Sequence, residues 1–336
     1  MEKIKKFERE IIFAFVLGVV FSSLLVFWGD LNKTFEQIVS FNWRLIPIVL
    51  GLTCFNYFLR FIRWHFFLGK IGFKEGIDLH KSALVFFSGL PLTLTPGKTG
   101  EVMKAYFLKK ITQDHLSRTI PVVIVERLSD GLAALLLLSF GFFSYSLGWL
   151  AMLFALFSCG LFIFLIYCSP FWKFFAKMLS FLGRKRLNFN IINRKLVNFR
   201  MVLLKLIGWK NLIIATVFAA VAWFTEAVGL AIIISNIAEV NLTLALISKA
   251  VFIFCLVNIL GFISLLPGGL GIAEGGFAGM LVLLLNLSRS EAVASTILLR
   301  LLTLWWGVAI GMIAFIVFVR YFKFGQNFDE AEKNTV

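Results

Sequence analysis

Charged side chains are scarce in the apolar stretches of this chain, and those that occur there follow a repeated spacing. Glu101 comes directly after the break Pro96-Gly97-Lys98-Thr99-Gly100, and Glu274 follows a second break, Pro267-Gly268-Gly269-Leu270-Gly271. Arg127 lies 26 residues after Glu101, and Arg300 lies 26 residues after Glu274. A charge in hydrocarbon is costly, so an arginine inside a long apolar run points to a polar path or a binding site. A guanidinium suits bidentate contact with phosphate or carboxylate. The two sets together predict a duplicated membrane unit built around broken helices, as transport sites are.

The breaks themselves have anion chemistry. Proline removes an amide donor, and the glycines leave the flanking helical segments with unpaired N–H groups, which attract anions. Lys98 and Lys104 strengthen the first break as a phosphate site, whereas the second has no lysine and its Glu274 suits a cation or a proton. Turn-forming residues between two helices explain both breaks without function. Glu126, Arg127 and Asp130 form an i, i+3 and i, i+4 cluster that either neutralises itself in packing or lines a polar cavity. Arg300 has no acid within a helical turn, so Glu274 and Glu226 are its candidate partners, or a ligand is. Arg60 and Arg63 stand one turn apart near the end of a span, either snorkelling to the interface or clamping a phosphate at the cytoplasmic mouth.

Other chemistry finds little support. Gly97-Lys98-Thr99 imitates the end of a nucleotide-binding loop, but Leu92 stands where its first glycine belongs and no βαβ pattern surrounds it. There is no nucleophile elbow, zinc-binding helix or acyl-transfer triad. Cys54, Cys159, Cys168 and Cys255 lie in apolar segments without metal-ligand spacing and read as packing residues. We therefore expect no cofactor, no metal and no catalytic residue.

The elements that position these side chains follow from composition. With 60% hydrophobic residues, 40 phenylalanines among 336 residues and a mean hydropathy of +0.92, this is an all-α, polytopic membrane protein. Hydropathy predicts six full spans, at about 11–28, 45–64, 119–143, 147–168, 211–235 and 293–319. The regions 79–108 and 244–287 each contain a Pro/Gly break and are expected to be re-entrant hairpins, giving eight or more membrane segments. The N-terminal run after Lys3, Lys5, Lys6 and Arg9 lacks a cleavage site and is taken as an uncleaved first span. Between Ser169 and Lys210 there are ten basic residues and no acid, interleaved with Phe, Leu and Ile, which argues against nucleic acid and for a basic amphipathic connector on an anionic membrane surface. Starting with a basic N-terminus inside, the positive-inside rule places that connector and both termini in the cytoplasm. Residues 45–143 and 211–319 then form an inverted repeat within a single membrane domain, with one break reached from each side.

At these residues the chain resembles the transmembrane region of the lysylphosphatidylglycerol synthases, the flippase-like part of the multiple peptide resistance factor. The carriers are Pro96-x-x-x-Gly100-Glu101, Glu126-Arg127-x-x-Asp130, Pro267-Gly268-Gly269-Leu270-Gly271-x-x-Glu274 and Arg300, in that order, within a likeness running from about Ile11 to Val319. The resemblance implies a plasma-membrane protein that moves or handles phospholipids or polyprenyl-linked lipids. Full-length synthases add a soluble aminoacyl-transferase domain; the chain ends soon after its last span, so lysine transfer is not expected of it alone. The expected activity is translocation of an anionic lipid headgroup. The alternatives are an accessory role, presenting a lipid-linked substrate to a separate glycosyltransferase or synthase, and a membrane-embedded lipid-phosphate transferase.

Overall fold

The computed structural model describes residues 2–73, 77–95, 100–112, 114–142, 148–182 and 189–322, and every regular element among them is helical. Helix α1 (Glu2–Gly29) turns by 102° into α2 (Leu31–Ser40), and α3 runs from Ile46 to Lys70. The turn is made at Asp30, whose φ of 71° reverses the chain while its carboxylate accepts from the Lys33 N–H. Next come α4 (Leu79–Ser88), a 3-10 turn at Leu90–Leu94, α5 (Met103–Thr112), α6 (Leu116–Phe142) and α7 (Gly148–Tyr167). The basic connector is a pair of helices, α8 (Ser169–Leu182) and α9 (Phe189–Leu206). The second half contains α10 (Trp209–Ile237), α11 (Leu244–Ile263), a 3-10 turn at Pro267–Gly269, α12 (Ile272–Leu285) and α13 (Arg289–Arg300). A π-helical stretch, Leu301–Trp305, joins α13 to α14 (Trp306–Tyr321).

Among the described residues five rods are long and apolar enough to cross a bilayer: Trp43–Lys70, Trp209–Ile237, Leu244–Ile263, Pro267–Leu285 and Arg289–Tyr321. The bent pair Val16–Gly29 and Leu31–Ser40 makes a sixth if counted as one span. Much of the outer surface is apolar, with Phe27, Phe58, Phe164, Leu283 and Ile313 all exposed, while Arg63, Glu101, Glu126, Asp130, Glu274 and Arg300 are buried. This inversion is what a hydrocarbon solvent allows, since lipid costs nothing to an apolar side chain and much to an ion.

The two broken regions differ in length. The arms flanking the first, α4 and α5, have 10 residues each, roughly 15 Å or half a hydrocarbon core. The arms flanking the second, Leu244–Ile263 and Pro267–Leu285, have 20 and 19 residues, enough for each to cross. The second break is sharp because Gly268, Gly269 and Gly271 all take positive φ, at 59°, 67° and 83°. A Cβ on Gly269 would also press into the backbone of Gly261 on α11. The caps agree with the sequence: Asn286 ends α12 in the left-handed region, and Ser288 with Glu291 forms a reciprocal capping box at the start of α13.

The two larger apolar clusters among the described residues hold the bundle. One joins α10, α11, α12 and α13 around Ile234, Ile253, Cys255 and Phe277; the other joins α3, α4, α6, α9 and α14 around Trp64, Phe67, Val125, Leu206 and Phe318. The connector carries exposed Lys173, Arg194, Lys195 and Lys205, while Arg184, Lys185 and Arg186 lie outside the described residues. Arg200 departs from the surface pattern. Its guanidinium donates to the Tyr167 carbonyl at 2.9 Å and to the Ile166 carbonyl at 3.3 Å, capping the C-terminal end of α7.

Candidate functional site

Both 26-residue spacings close into ion pairs. Arg300 Nε donates to Glu274 Oε1 at 2.6 Å, and Arg127 Nε lies 3.2 Å from Glu101 Oε2. Glu274 is placed by the break itself: its second oxygen, Oε2, accepts from the Gly271 N–H at 2.6 Å, closing the first turn of α12. Arg300 reaches back from the end of α13 and donates through Nη2 to the Gly268 carbonyl at 3.2 Å. Carboxylate, arginine and broken backbone are thus one unit. At the first break Gly100 donates its N–H to Thr95 Oγ1 at 2.6 Å, and Glu101 follows in the helical turn at 100–102. Pro96, Gly97 and Lys98 lie outside the described residues.

The Glu126-Arg127-Asp130 cluster is shared among three elements rather than closed on itself. Arg127 Nη2 is 3.0 Å from Asp130 Oδ2, as the i, i+3 spacing predicts. Asp130 Oδ1 accepts from Arg63 Nη1 at 2.6 Å, and the same nitrogen donates to Ser129 Oγ at 3.2 Å. Glu126 accepts from Lys104 Nζ at 2.8 Å. That ammonium also sits 4.8 Å from the ring centre of Trp64 and 5.2 Å from that of Phe86. Lys104 is 4% exposed, so it ties α5 to α6 instead of presenting a phosphate site at the first break.

Arg60 and Arg63 part company. Arg63, 1% exposed, is committed to Asp130 and takes no part in a clamp at the membrane face. Arg60 lines a cavity of about 110 Å³ together with Glu101, Glu226, Arg300 and Gly268. Tyr57, Thr93, Asn258 and Thr303 also line it, and apolar side chains such as Leu90, Phe254 and Phe277 complete the wall. The Nε of Arg60 is buried without a hydrogen-bond partner among the described residues. The cavity has room for several waters or one small polar group and draws on both broken regions at once. Arg127 stands behind Glu101 and is not itself part of the wall.

The sequence reading missed the joint beneath this cavity. Tyr57 Oη donates at 2.8 Å to the carbonyl of Thr303, inside the π-helical stretch where the backbone ladder is interrupted. Gly307 makes room for it, since a Cβ there would strike the Tyr57 hydroxyl. Asn56 Nδ2 donates to the Ala222 carbonyl at 2.7 Å and binds α3 to α10. The signal was available: a tyrosine, an asparagine and a lone Asn258 in otherwise apolar helices are polar groups needing partners.

A model of the lysylphosphatidylglycerol synthase transmembrane region matches residues 15–311. A UPF0104 membrane protein of Methanothermobacter thermautotrophicus is 22% identical over 329 residues, covering 93% of each chain. A UPF0104 membrane protein of Pyrococcus horikoshii is 27% identical over 119 residues, covering 34% of this chain and 35% of that one.

Proposed function

The chain belongs to the lysylphosphatidylglycerol synthase transmembrane region family, and from that premise we propose that it translocates an anionic phospholipid or a polyprenyl-linked lipid across the plasma membrane. It does so without an energy source of its own. The observation that carries this reading is the pair of glutamates that follow the two breaks, each paired with an arginine 26 residues on, together with one cavity that is lined by Glu101, Gly268, Arg60 and Arg300. Apolar side chains would pack at lower cost than these ions, which argues for a polar path.

The headgroup passes through the cavity while its chains remain in the bilayer. Arg300 and Arg60 are its first phosphate contacts; Arg127 becomes one when Glu101 swings aside. Glu101 and Glu274 either hold a cationic part of the headgroup or exchange protons as the two halves move. Helix packing supports an inverted repeat of 45–143 and 211–319. Helix α3 lies against α10, and α6 on α11 is matched by α14 on α4, as a two-fold relation would exchange them. In this reading both termini and the pair α8–α9 face the cytoplasm.

Reconstitution tests it. Purified protein in liposomes carrying fluorescent phosphatidylglycerol or a short-chain polyprenyl phosphate in one leaflet is expected to speed exchange, measured by an external quencher. Arg127→Ala and Arg300→Ala are expected to abolish that acceleration. Absence of exchange with either lipid, with and without a proton gradient, would transfer the case to presentation of a lipid-linked substrate to a separate enzyme.

A further inference from the structure

A second, larger hollow meets the same arginine from the outside. Between α1 and the rod formed by α13, the π-helical stretch and α14 runs a groove of about 920 Å³. Its walls are almost wholly apolar, with Val19, Leu25 and Phe27 on one side and Ile297, Leu301 and Trp305 on the other. Its inner end is Glu274 and Arg300, and Arg300 is also part of the wall of the polar cavity. The two helical walls meet where Gly18 lies under Trp305; a Cβ on Gly18 would come within 2.6 Å of the indole ring.

We propose that this groove holds the hydrocarbon chain of the lipid whose phosphate engages Arg300, so that substrate enters sideways from the bilayer between α1 and the α13–α14 rod. The proposal rests on the translocation reading for the role of Arg300 and adds the place of the chain and the route of entry. Arg300 has a donor to spare: Nε serves Glu274 and Nη2 serves Gly268, while Nη1 makes no hydrogen bond among the described residues. An occupant with an apolar chain joined to an anion satisfies both ends.

The physics also separates a substrate site from a crevice filled by bulk lipid. A chain leaving the bilayer for an apolar groove gains nothing from the hydrophobic effect, because lipid tails are as apolar as leucine. Preference among lipids must then come from the polar end. Bulk filling is indifferent to headgroup and to Arg300; a substrate chain is not.

The test uses the full chain in liposomes containing phosphatidylglycerol with a diazirine in its acyl chain, and in parallel a diazirine-bearing diacylglycerol. After illumination, labelled peptides are mapped. Labelling by phosphatidylglycerol is expected on residues 18–31 and 296–309, at least tenfold above that by diacylglycerol and lost in Arg300→Ala. Ser22→Trp, which fills the groove from the outermost helix and leaves the polar cavity intact, is expected to lose it too. Equal labelling by the two lipids, labelling that persists in Arg300→Ala, or none in the unaltered protein overturns the proposal. Leaflet exchange that survives in Ser22→Trp also overturns it while leaving translocation standing. Headgroup-selective, Arg300-dependent labelling without exchange upholds the groove and refutes translocation.

Discussion

Removing both members of the Glu274–Arg300 pair is expected to cost less stability than removing the arginine alone, and about as much as removing the carboxylate alone. At a separation of 2.6 Å and an effective dielectric near 20, two unit charges attract by about 6 kcal/mol, a gross figure offset by the desolvation of both ions. Breaking such a pair leaves one buried charge uncompensated, which costs roughly 3–5 kcal/mol. Arg300→Met falls in that range because Glu274 keeps only the Gly271 N–H. Glu274→Gln costs less, about 2–3 kcal/mol, because the amide oxygen can still accept from Gly271 while the guanidinium loses its counter-ion. With both changes neither position carries a charge, and the loss should stay near that of Glu274→Gln alone, giving a coupling energy equal to the Arg300→Met loss, about 4 kcal/mol. Reversible unfolding of the four proteins in mixed micelles of detergent and dodecyl sulfate measures this cycle. Losses that add to within about 0.5 kcal/mol would show that the pair does not hold the second break. The same double variant separates scaffold from function: it should be folded and yet give no lipid exchange. Exchange at the unaltered rate would remove Arg300 from the headgroup path.

Lys104→Met should lower stability by roughly 3–5 kcal/mol by stranding Glu126, and adding Glu126→Gln should restore most of it; the same unfolding assay decides. Gly307→Ala should destabilise by about 1–3 kcal/mol through overpacking against the Tyr57 hydroxyl, and Tyr57→Phe in that background should recover part of the loss, whereas Tyr57→Phe alone should cost about 1 kcal/mol. Single cysteines placed at Lys173 and Lys195 should react with a membrane-impermeant maleimide only in inside-out vesicles; labelling of right-side-out vesicles would reverse the orientation of α8 and α9.

What could be read from the chain was governed by where each charge finds its partner. The 26-residue intervals were legible because each glutamate directly follows its break and each arginine lies on the second helix after it, so spacing along the chain records the contact. For Arg300 the sequence offered Glu274, Glu226 or a ligand as partner, and the structure pairs it with Glu274. Arg60 and Arg63 misled because i, i+3 suggests one face, yet the two positions are about 60° apart around an α-helix. That rotation turns Arg63 toward Asp130, 67 residues away, and leaves Arg60 in the cavity wall. Lys104 was read as part of an anion site because neither Trp64 nor Phe86, which receive its ammonium, is near it in sequence. The 102° turn at Asp30 was likewise invisible to hydropathy, which registers how apolar a segment is and not its direction.

The two pairs, alike in spacing, are set in unlike surroundings, and this bears on how a lipid could move past them. Arg127 is held by Glu101 and Asp130, and Asp130 is held in turn by Arg63, so loosening the first pair disturbs a chain of ions reaching into α3. Among the described residues Arg300 is held by one carboxylate and one carbonyl, and it borders both the apolar groove and the polar cavity. A phosphate in either hollow meets Arg300 directly, whereas Arg127 lines neither and stands behind Glu101. On the translocation proposal, Arg300 is the point of capture and the Glu101–Arg127 pair the barrier. On that argument Glu101→Gln should speed exchange by weakening the barrier while Glu274→Gln should change chiefly lipid affinity. The leaflet assay run over a range of lipid concentrations distinguishes these effects, and the opposite assignment would overturn the order of events.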